Sequence, residues 1–315
     1  MVPVPRELGM NMNRVEYIAH EPVMANEVLK LLENINAGTL IDATYGAGAH
    51  FDLIKTKYPK FNVLGIDRDN DSVSSAKENN SVFKYNFSEL DRFVQEKKLK
   101  QIKCIFFDFG VSTHQIMNKD RGFSFQNNSD LDMRMDKGEP LSAKDFINSA
   151  SKEEIILILR TYGEENHAYK IGNMIVESRP FKKTSELSES IARAVPVKNP
   201  LAKKKSIRRC FQAIRIHIND ELTHIDDGLV KSIDIIDSGG LIITISYHSL
   251  EDKIVKRIFK ENSIECVCPN EIPKCMCNQK PKIKLGKPSK LKPSKAEITK
   301  NRKSKSAILR YAVKL

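Results

Sequence analysis

The chain has 315 residues, 52 Lys and Arg against 40 Asp and Glu, and a formal net charge of +12. Hydrophobic residues make up 40% and charged residues 29%, which is too apolar for a disordered chain and enough for a sizeable core. No apolar run reaches the roughly 18 residues of a membrane span, so an integral membrane helix is excluded, and the length fits one large domain or two modest ones. The segment Met1–Arg14 carries Pro3, Pro5, Glu7 and Asn11 in place of the apolar core of a secretion signal. Six cysteines without such a signal are expected to be thiols or metal ligands of a cytoplasmic protein. The basic balance favours a polyanionic partner, although a Lys-rich chain is also simply soluble.

Taken in order, Pro22–Asn34 reads as a lead-in helix. Four strand-like runs follow at Thr39–Thr44, Phe61–Asp67, Ser81–Tyr85 and Ile102–Phe109. Helix-like stretches at Phe51–Lys57, Asn70–Asn79 and Ser88–Lys97 separate them. Strand and helix alternating at this spacing predict an α/β fold, a parallel sheet with helices on both faces. From Met117 to Cys210 the strand pattern disappears. Lys152–Arg160, Glu165–Glu177 and Glu186–Ala194 read as helices broken at Gly163 and Pro180, which predicts an inserted helical subdomain. A long helical pattern, Phe211–Ile236, brings the chain back. A fifth buried strand at Leu241–Tyr247, a helix at Ser249–Lys260 and a Pro-, Lys- and Cys-rich loop from Glu265 to Asn301 come next. Ser306–Val313 is expected as a last edge strand. The division is therefore 1–117, 118–210 (the insertion) and 211–315.

The first strand ends in Asp42-Ala-Thr-Tyr-Gly46-Ala-Gly48-Ala-His50, and the second ends in Asp67, 21 residues after Gly46. Glycines at a strand end let a ligand approach the backbone, and an acid at the next strand end can accept hydrogen bonds from both ribose hydroxyls of an adenosine. A dinucleotide fingerprint would want a third glycine where Phe51 stands. An adenosine ligand without pyrophosphate, such as S-adenosylmethionine, fits better than NAD. An ordinary tight strand–helix turn is the bland reading. The fourth strand ends in Asp108-Phe-Gly110-Val-Ser112. Three strand ends thus offer acids to one rim, which solvated surface explains poorly, although Asp108 alone suits a helix cap and Ser112 alone a turn.

These residues resemble the bacterial ribosomal RNA small subunit methyltransferase H (MraW) family. The likeness runs from His20-Glu-Pro-Val through Asp42–His50, Gly65-Ile-Asp67-Arg-Asp69 and Asp108–Ser112. It continues with Arg121-Gly-Phe-Ser-Phe125, Leu131-Asp-Met-Arg-Met-Asp136, Tyr162-Gly-Glu-Glu165, Phe211-Gln-Ala-Ile-Arg215, Ser246–Asp252 and Asn301–Arg310. The Arg121–Phe125, Leu131–Asp136 and Ser246–Asp252 runs are specific, since none is a generic nucleotide-binding pattern. The resemblance implies a Rossmann-like class I methyltransferase sheet with a helical insertion. It implies S-adenosylmethionine-dependent methylation of a cytidine N4 in the decoding region of 16S rRNA, with the small ribosomal subunit as partner. By resemblance the cofactor contacts fall on Gly48, Ala49, His50, Asp67, Phe87, Asp108 and Gln115, and the strand-end loop adds Gly46. Four departures stand out: Ala49 for the usual glycine, Phe51 for a small hydroxyl residue, His114 for a proline, and Lys205–Cys210 in place of His-Pro-Ala-Thr-Arg-Thr.

The N4 amine of cytosine needs a hydrogen-bond acceptor and an in-line approach to the sulfonium methyl rather than a covalent cysteine. Asp108 and Ser112 are the catalytic candidates. The base must come from a single strand or be flipped out of a stack. Arg134 and Arg215 are candidates for RNA phosphates, with structural ion pairs as the alternative. His248 is a candidate substrate contact, with a satisfied structural histidine as the alternative. Asp132 and Asp136 read as loop-fixing carboxylates. The Lys203–Arg209 run, including Arg208 and Arg209, is the stronger RNA candidate and Lys280–Lys305 the second, each against a solvated surface. Cys266, Cys268, Cys275 and Cys277 could hold zinc, but Cys-x-Cys departs from the usual Cys-x₂-Cys, and no metal is assigned to the site. Cys104 is expected in the core, and Cys210 has no evident partner. A homodimer stays open. The rival functions are a DNA amino-methyltransferase, which would carry a Pro-Pro-aromatic run where Phe109-Gly110-Val111 stands, and a non-enzymatic RNA-binding protein, against which the intact Gly46, Gly48, Asp67 and Asp108 argue.

Overall fold

The computed structural model describes residues 22–265, 277 and 280–315. The readings on Met1–Arg14, His20, Cys266, Cys268 and Cys275 lie outside the described residues. Seven strands form one sheet: β1 (Gly38–Asp42), β2 (Phe61–Asp67), β3 (Ser81–Lys84), β4 (Ile102–Asp108), β5 (Leu241–Ser246), β6 (Ile283–Leu285) and β7 (Ile308–Lys314). Their order is β3-β2-β1-β4-β5-β7-β6. β1 to β5 run parallel, while β7 pairs antiparallel with β5 and β6 antiparallel with β7. The chain leaves β1 toward β2 on one side and reaches β4 on the other. This reversal opens a crevice at the carboxyl ends of β1 and β4, the place where such sheets bind ligands.

Around the sheet lie α1 (Ala25–Leu32), α2 (Ala49–Lys57), α3 (Asn70–Ser74), α4 (Leu90–Glu96) and α5 (Thr113–Met117). The strands read as nearly continuous apolar runs because both faces are covered. Successive residues alternate between the faces. Ile41, Ile105 and Phe107 enter one core with Leu90 and Phe93 of α4, whereas Leu40, Cys104 and Phe106 enter the other with Val28 and Leu32 of α1 and Phe51 of α2. A third core belongs to the helices α6 (Ala143–Ser149), α7 (Lys152–Thr161), α8 (Ala168–Glu177), α9 (Thr184–Ala194) and α10 (Pro200–Asn219). Then follow α11 (Glu221–Ile235) and α12 (Ser249–Glu261), whose apolar sides cover the sheet, and the short α13 (Lys295–Lys300). Among the described residues no helix is long and apolar enough to cross a membrane.

The structure corrects several expected boundaries. The returning helix starts at Pro200, not Phe211, with Asn199 capping it and the proline in its first turn. Its first half shows little apolar periodicity because lysines face solvent there. Residue 210 is consequently no boundary: Cys210, Phe211, Ala213 and Ile214 all belong to the helical core. The long pattern is two helices, since Asp220 takes φ 45° and ends α10 before α11 begins. β7 is not the edge strand, because the three-residue β6 lies outside it. α3 stops at Ser74, five residues short of Asn79.

Candidate functional site

The loops after β1, β2 and β4 enclose a first pocket, lined by Gly46, Asp67, Phe87, Asp108, Ser112 and Gln115 among others. Asp67 shapes the glycine loop. Its Oδ2 accepts from the Gly46 amide at 2.7 Å and its Oδ1 from the Asp69 amide at 2.8 Å. Gly46 adopts φ 53°, a conformation that favours glycine. Phe87 follows β3 at a turn capped by Asn86, and its ring packs against Phe107 and Phe109. Gly48, Ala49 and His50 do not line this cavity. A Cβ on Gly48 would come within 2.6 Å of the Tyr45 hydroxyl, so the glycine also makes room for Tyr45. No side chain caps the N-terminus of α2, which leaves its first amides available to an anion.

Asp42 lies buried beneath the crevice, and the half-buried Asp67 and Asp108 line it. Burial pushes Asp42 up to about 8, with Asp108 and Asp67 adding to the rise and the Thr44 amide opposing it. Burial pushes Asp67 up to about 6 against the Asp69 and Gly46 amides. Burial also raises Asp108, while His50 and the Tyr247 hydroxyl counteract it. The Tyr247 hydroxyl donates to Asp108 Oδ1 at 2.7 Å. His50 Nε2 donates to the Val23 carbonyl at 2.9 Å, and Nδ1 lies 3.5 Å from Asp108 Oδ2, a contact that becomes attractive when the ring is protonated.

Ser112 caps α5. Its Oγ accepts from the Gln115 amide at 3.2 Å, and Gln115 Oε1 accepts from the Ser112 amide at 3.0 Å. Gln115 Nε2 then donates to Asp69 Oδ2 at 2.8 Å. Asp69 also meets Arg121, whose side chain is fully buried and whose other contacts are Asp71 and the carbonyls of Arg134 and Met135. This network ties the glycine-loop side of the sheet to the Leu131–Asp136 segment.

A second, larger cleft of about 750 Å³ adjoins the first. Gly110 and Val111 line both. Gly110 takes φ 99°, and its bare Cα faces Tyr247 and Glu251. The aromatic rings of Phe123, Phe125, Phe211 and Tyr247 lie in the cleft walls together with His248 and Glu251. Glu251 is fully buried. Burial works to raise it, but His248, the Tyr247 amide and Arg215 outweigh that and hold it below its usual range. Its Oε2 accepts from the Tyr247 amide at 2.6 Å, which fixes the turn after β5. Glu221, His248 and Glu251 lie close enough to share a cation, and Arg215 already serves Glu221.

The predicted arginine contacts come out differently. Arg215 lines the cleft, yet its guanidinium forms a two-pronged pair with Glu221 at 2.7 and 2.8 Å. Arg209 neutralises the buried Glu165 at 2.6 and 2.8 Å and does not line the cleft. Arg134 lines neither pocket; it pairs with Asp132 and donates to the carbonyls of Lys137 and Glu139. A buried carboxylate in each of the first two cases, and a saturated donor set in the third, makes these arginines structural ion pairs. Of the Lys203–Arg209 run only Arg208 reaches the cleft, which Arg302 and Lys303 from the Lys280–Lys305 segment also line. Cys104 and Cys210 are buried thiols, pushed up by burial.

The MraW methylase family profile matches residues 17–315. The chain belongs to the MraW methylase family. Ribosomal RNA small subunit methyltransferase H of Carboxydothermus hydrogenoformans is 40% identical over 94% of this chain and 98% of its own. The proteins of that name from Caldicellulosiruptor saccharolyticus and Dehalococcoides mccartyi are 41% and 36% identical, each over 94% of this chain, and over 99% and 86% of their own. The sheet accordingly is a Rossmann-like methyltransferase sheet, and membership of the family implies a methyl donor. Sequence reasoning singled out neither Tyr247 nor Arg121 for a role. Both stood inside the quoted family runs, and the signal available was an aromatic hydroxyl at a strand end and an arginine flanked by glycine and aromatics.

Proposed function

We propose that this protein transfers the methyl group of S-adenosylmethionine to N4 of a cytidine in the decoding region of 16S rRNA, in the cytoplasm and with the small ribosomal subunit as partner. The observation that carries the reading is the junction of the two pockets. Gly110 and Val111 line both, Asp108 lines the first, and Tyr247, its hydrogen-bond partner, lines the second. A donor in one and a base in the other would meet there. The names of the relatives supply the rRNA, and the family resemblance supplies the atom.

The first pocket fits the cofactor. Asp67 stands where ribose hydroxyls would be received, and the Phe87 ring faces the same space. The uncapped amides of the first turn of α2, at Ala49 and His50 outside the pocket lining, suit a carboxylate reaching past Gly46. Asp42 and Asp67 are raised by burial and by neighbouring carboxylates, and a cationic ligand beside them would favour their ionised forms. When bound, S-adenosylmethionine supplies an electrophilic methyl on a sulfonium sulfur.

In the second cleft the aromatic rings suit a base presented singly. Asp108, ionised, accepts a hydrogen bond from the exocyclic amine and aligns its lone pair with the methyl. Transfer of the methyl group from sulfur to nitrogen would leave a neutral thioether and place positive charge on the amine. Asp108 stabilises that charge, and the proton leaves to it or to water. Tyr247 positions the carboxylate, and Ser112 holds the loop through its cap. Among the described residues no cysteine lines either pocket, in keeping with attack by an amine rather than by an activated ring carbon. The test is transfer of a labelled methyl group to small subunits, followed by nucleoside analysis. N4-methylcytidine is expected. Label on another atom, or none on RNA, would overturn the reading.

A further inference from the structure

The cleft next to the methyl-donor pocket is positively charged in an uneven way. Four cationic side chains line it: Arg208, Arg215, Arg302 and Lys303. Arg215 is held by Glu221. The other three make no ion pair among the described residues. Lys303 Nζ donates to the Thr113 hydroxyl at 3.0 Å, which points it over α5, and burial lowers its pKa. Among the described residues the only carboxylate in the lining is Glu251, already engaged by His248 and the Tyr247 amide.

The three unpaired cations come from two distant parts of the chain, Arg208 from α10 and Arg302 and Lys303 from the 3-10 turn at Arg302–Ser306. All three are exposed, whereas Phe123, Phe125, Phe211 and Tyr247 in the same lining are buried or half-buried. Aromatic faces inside a groove and cations on its rims are the arrangement that holds single-stranded nucleic acid, bases inward and phosphates outward. A duplex keeps its bases stacked and could not use the rings.

We propose that Arg208, Arg302 and Lys303 clamp the phosphates on either side of the target nucleotide in a single-stranded RNA segment drawn across the cleft. This rests on the rRNA methyltransferase reading for the nature of the substrate. It assigns the phosphate contacts to the unpaired cations and withdraws them from Arg134, Arg209 and Arg215.

The experiment uses the full chain and a fluorescent single-stranded oligonucleotide of small-subunit decoding-region sequence, alone and annealed to its complement. Binding is measured from low to moderate KCl for the wild type and for Arg208→Met, Arg302→Met and Lys303→Met combined. The control combines Lys30→Met, Lys57→Met and Lys100→Met, exposed cations that line neither pocket and remove the same charge. Three single-strand phosphate contacts contribute about 2 to the salt slope and on the order of 100-fold in affinity near 0.1 M salt. The clamp variant is expected to lose both while calorimetry shows cofactor binding intact. The control should lose little. Equal losses in clamp and control variants, or losses seen on the duplex alone, overturn the proposal. Labelled-methyl transfer by the wild type runs alongside. Transfer with an unaffected clamp variant defeats the clamp alone, whereas no transfer to RNA by the wild type defeats the functional reading itself.

Discussion

At the scale of single residues, Tyr247 and Ser112 look alike as polar groups near the crevice, yet the structure gives them different work. Tyr247 donates to Asp108, which burial raises and which also faces His50, Glu251 and Asp42. Removing the hydroxyl takes a donor from the ionised carboxylate, so Asp108 would hold its proton to higher pH. Tyr247→Phe is therefore expected to move the acid limb of the single-turnover pH profile upward. The neutral rate should fall roughly tenfold, the size of one lost hydrogen bond to a charged group. Cofactor affinity should change only a few-fold, and an unshifted profile with a normal rate would remove Tyr247 from the mechanism. Ser112 instead spends its oxygen on the α5 cap. Ser112→Ala should cost about 1 kcal/mol of stability and leave the rate of the folded enzyme within a few-fold. Melting and single-turnover rate on one preparation check this, and a large rate loss without a lower melting temperature would return Ser112 to the catalytic list.

At the scale of elements, α10 carries two neighbouring arginines with opposite fates. Arg209 neutralises the fully buried Glu165 side chain. Arg209→Met leaves that carboxylate unpaired and should destabilise the fold by about 3 kcal/mol, read by denaturant unfolding. Arg208→Met should stay within about 0.5 kcal/mol of the wild type and weaken RNA binding instead. If the two variants behaved alike, the division between structural and free arginines would fail. Sequence could not separate them, because the partner of Arg209 lies 44 residues upstream in the Tyr162-Gly-Glu-Glu165 turn. The parallel strands were legible since their apolar runs are continuous and end in glycine or acid. So was the crevice, because Gly46, Asp67 and Asp108 each close a strand or open the loop after it. The start of α10 was not, since its solvent-facing lysines mask the helical period, nor was β6, with three residues and a lysine at its centre.

At the scale of the whole molecule, the raised carboxyls of Asp42 and Asp67 link stability, pH and cofactor. Asp42 and Asp67 bind protons more tightly in the folded chain, with values near 8 and 6, than unfolded carboxyls do. Their contribution to stability is thus full below roughly pH 4 and is lost as pH rises through 6 and then 8. Asp42→Asn should flatten the fall in melting temperature between neutral and mildly alkaline pH, and an unchanged slope would contradict the raised pKa. A cationic ligand favours the ionised forms, so cofactor binding should release protons and tighten with pH over the same window. Calorimetry in buffers of different ionisation heat measures that release. On the proposed reading, donor and acceptor meet beside Asp108, whose pocket joins the second cleft at Gly110 and Val111. This meeting is tested most directly by the structure of a ternary complex with an unreactive amine analogue of the cofactor and a short cytidine-containing RNA. The cytosine is expected in the aromatic cleft, with its N4 within hydrogen-bond reach of the Asp108 carboxylate and about 3–3.5 Å from the transferring position. A base seated elsewhere, or an amine turned away from Asp108, would contradict it.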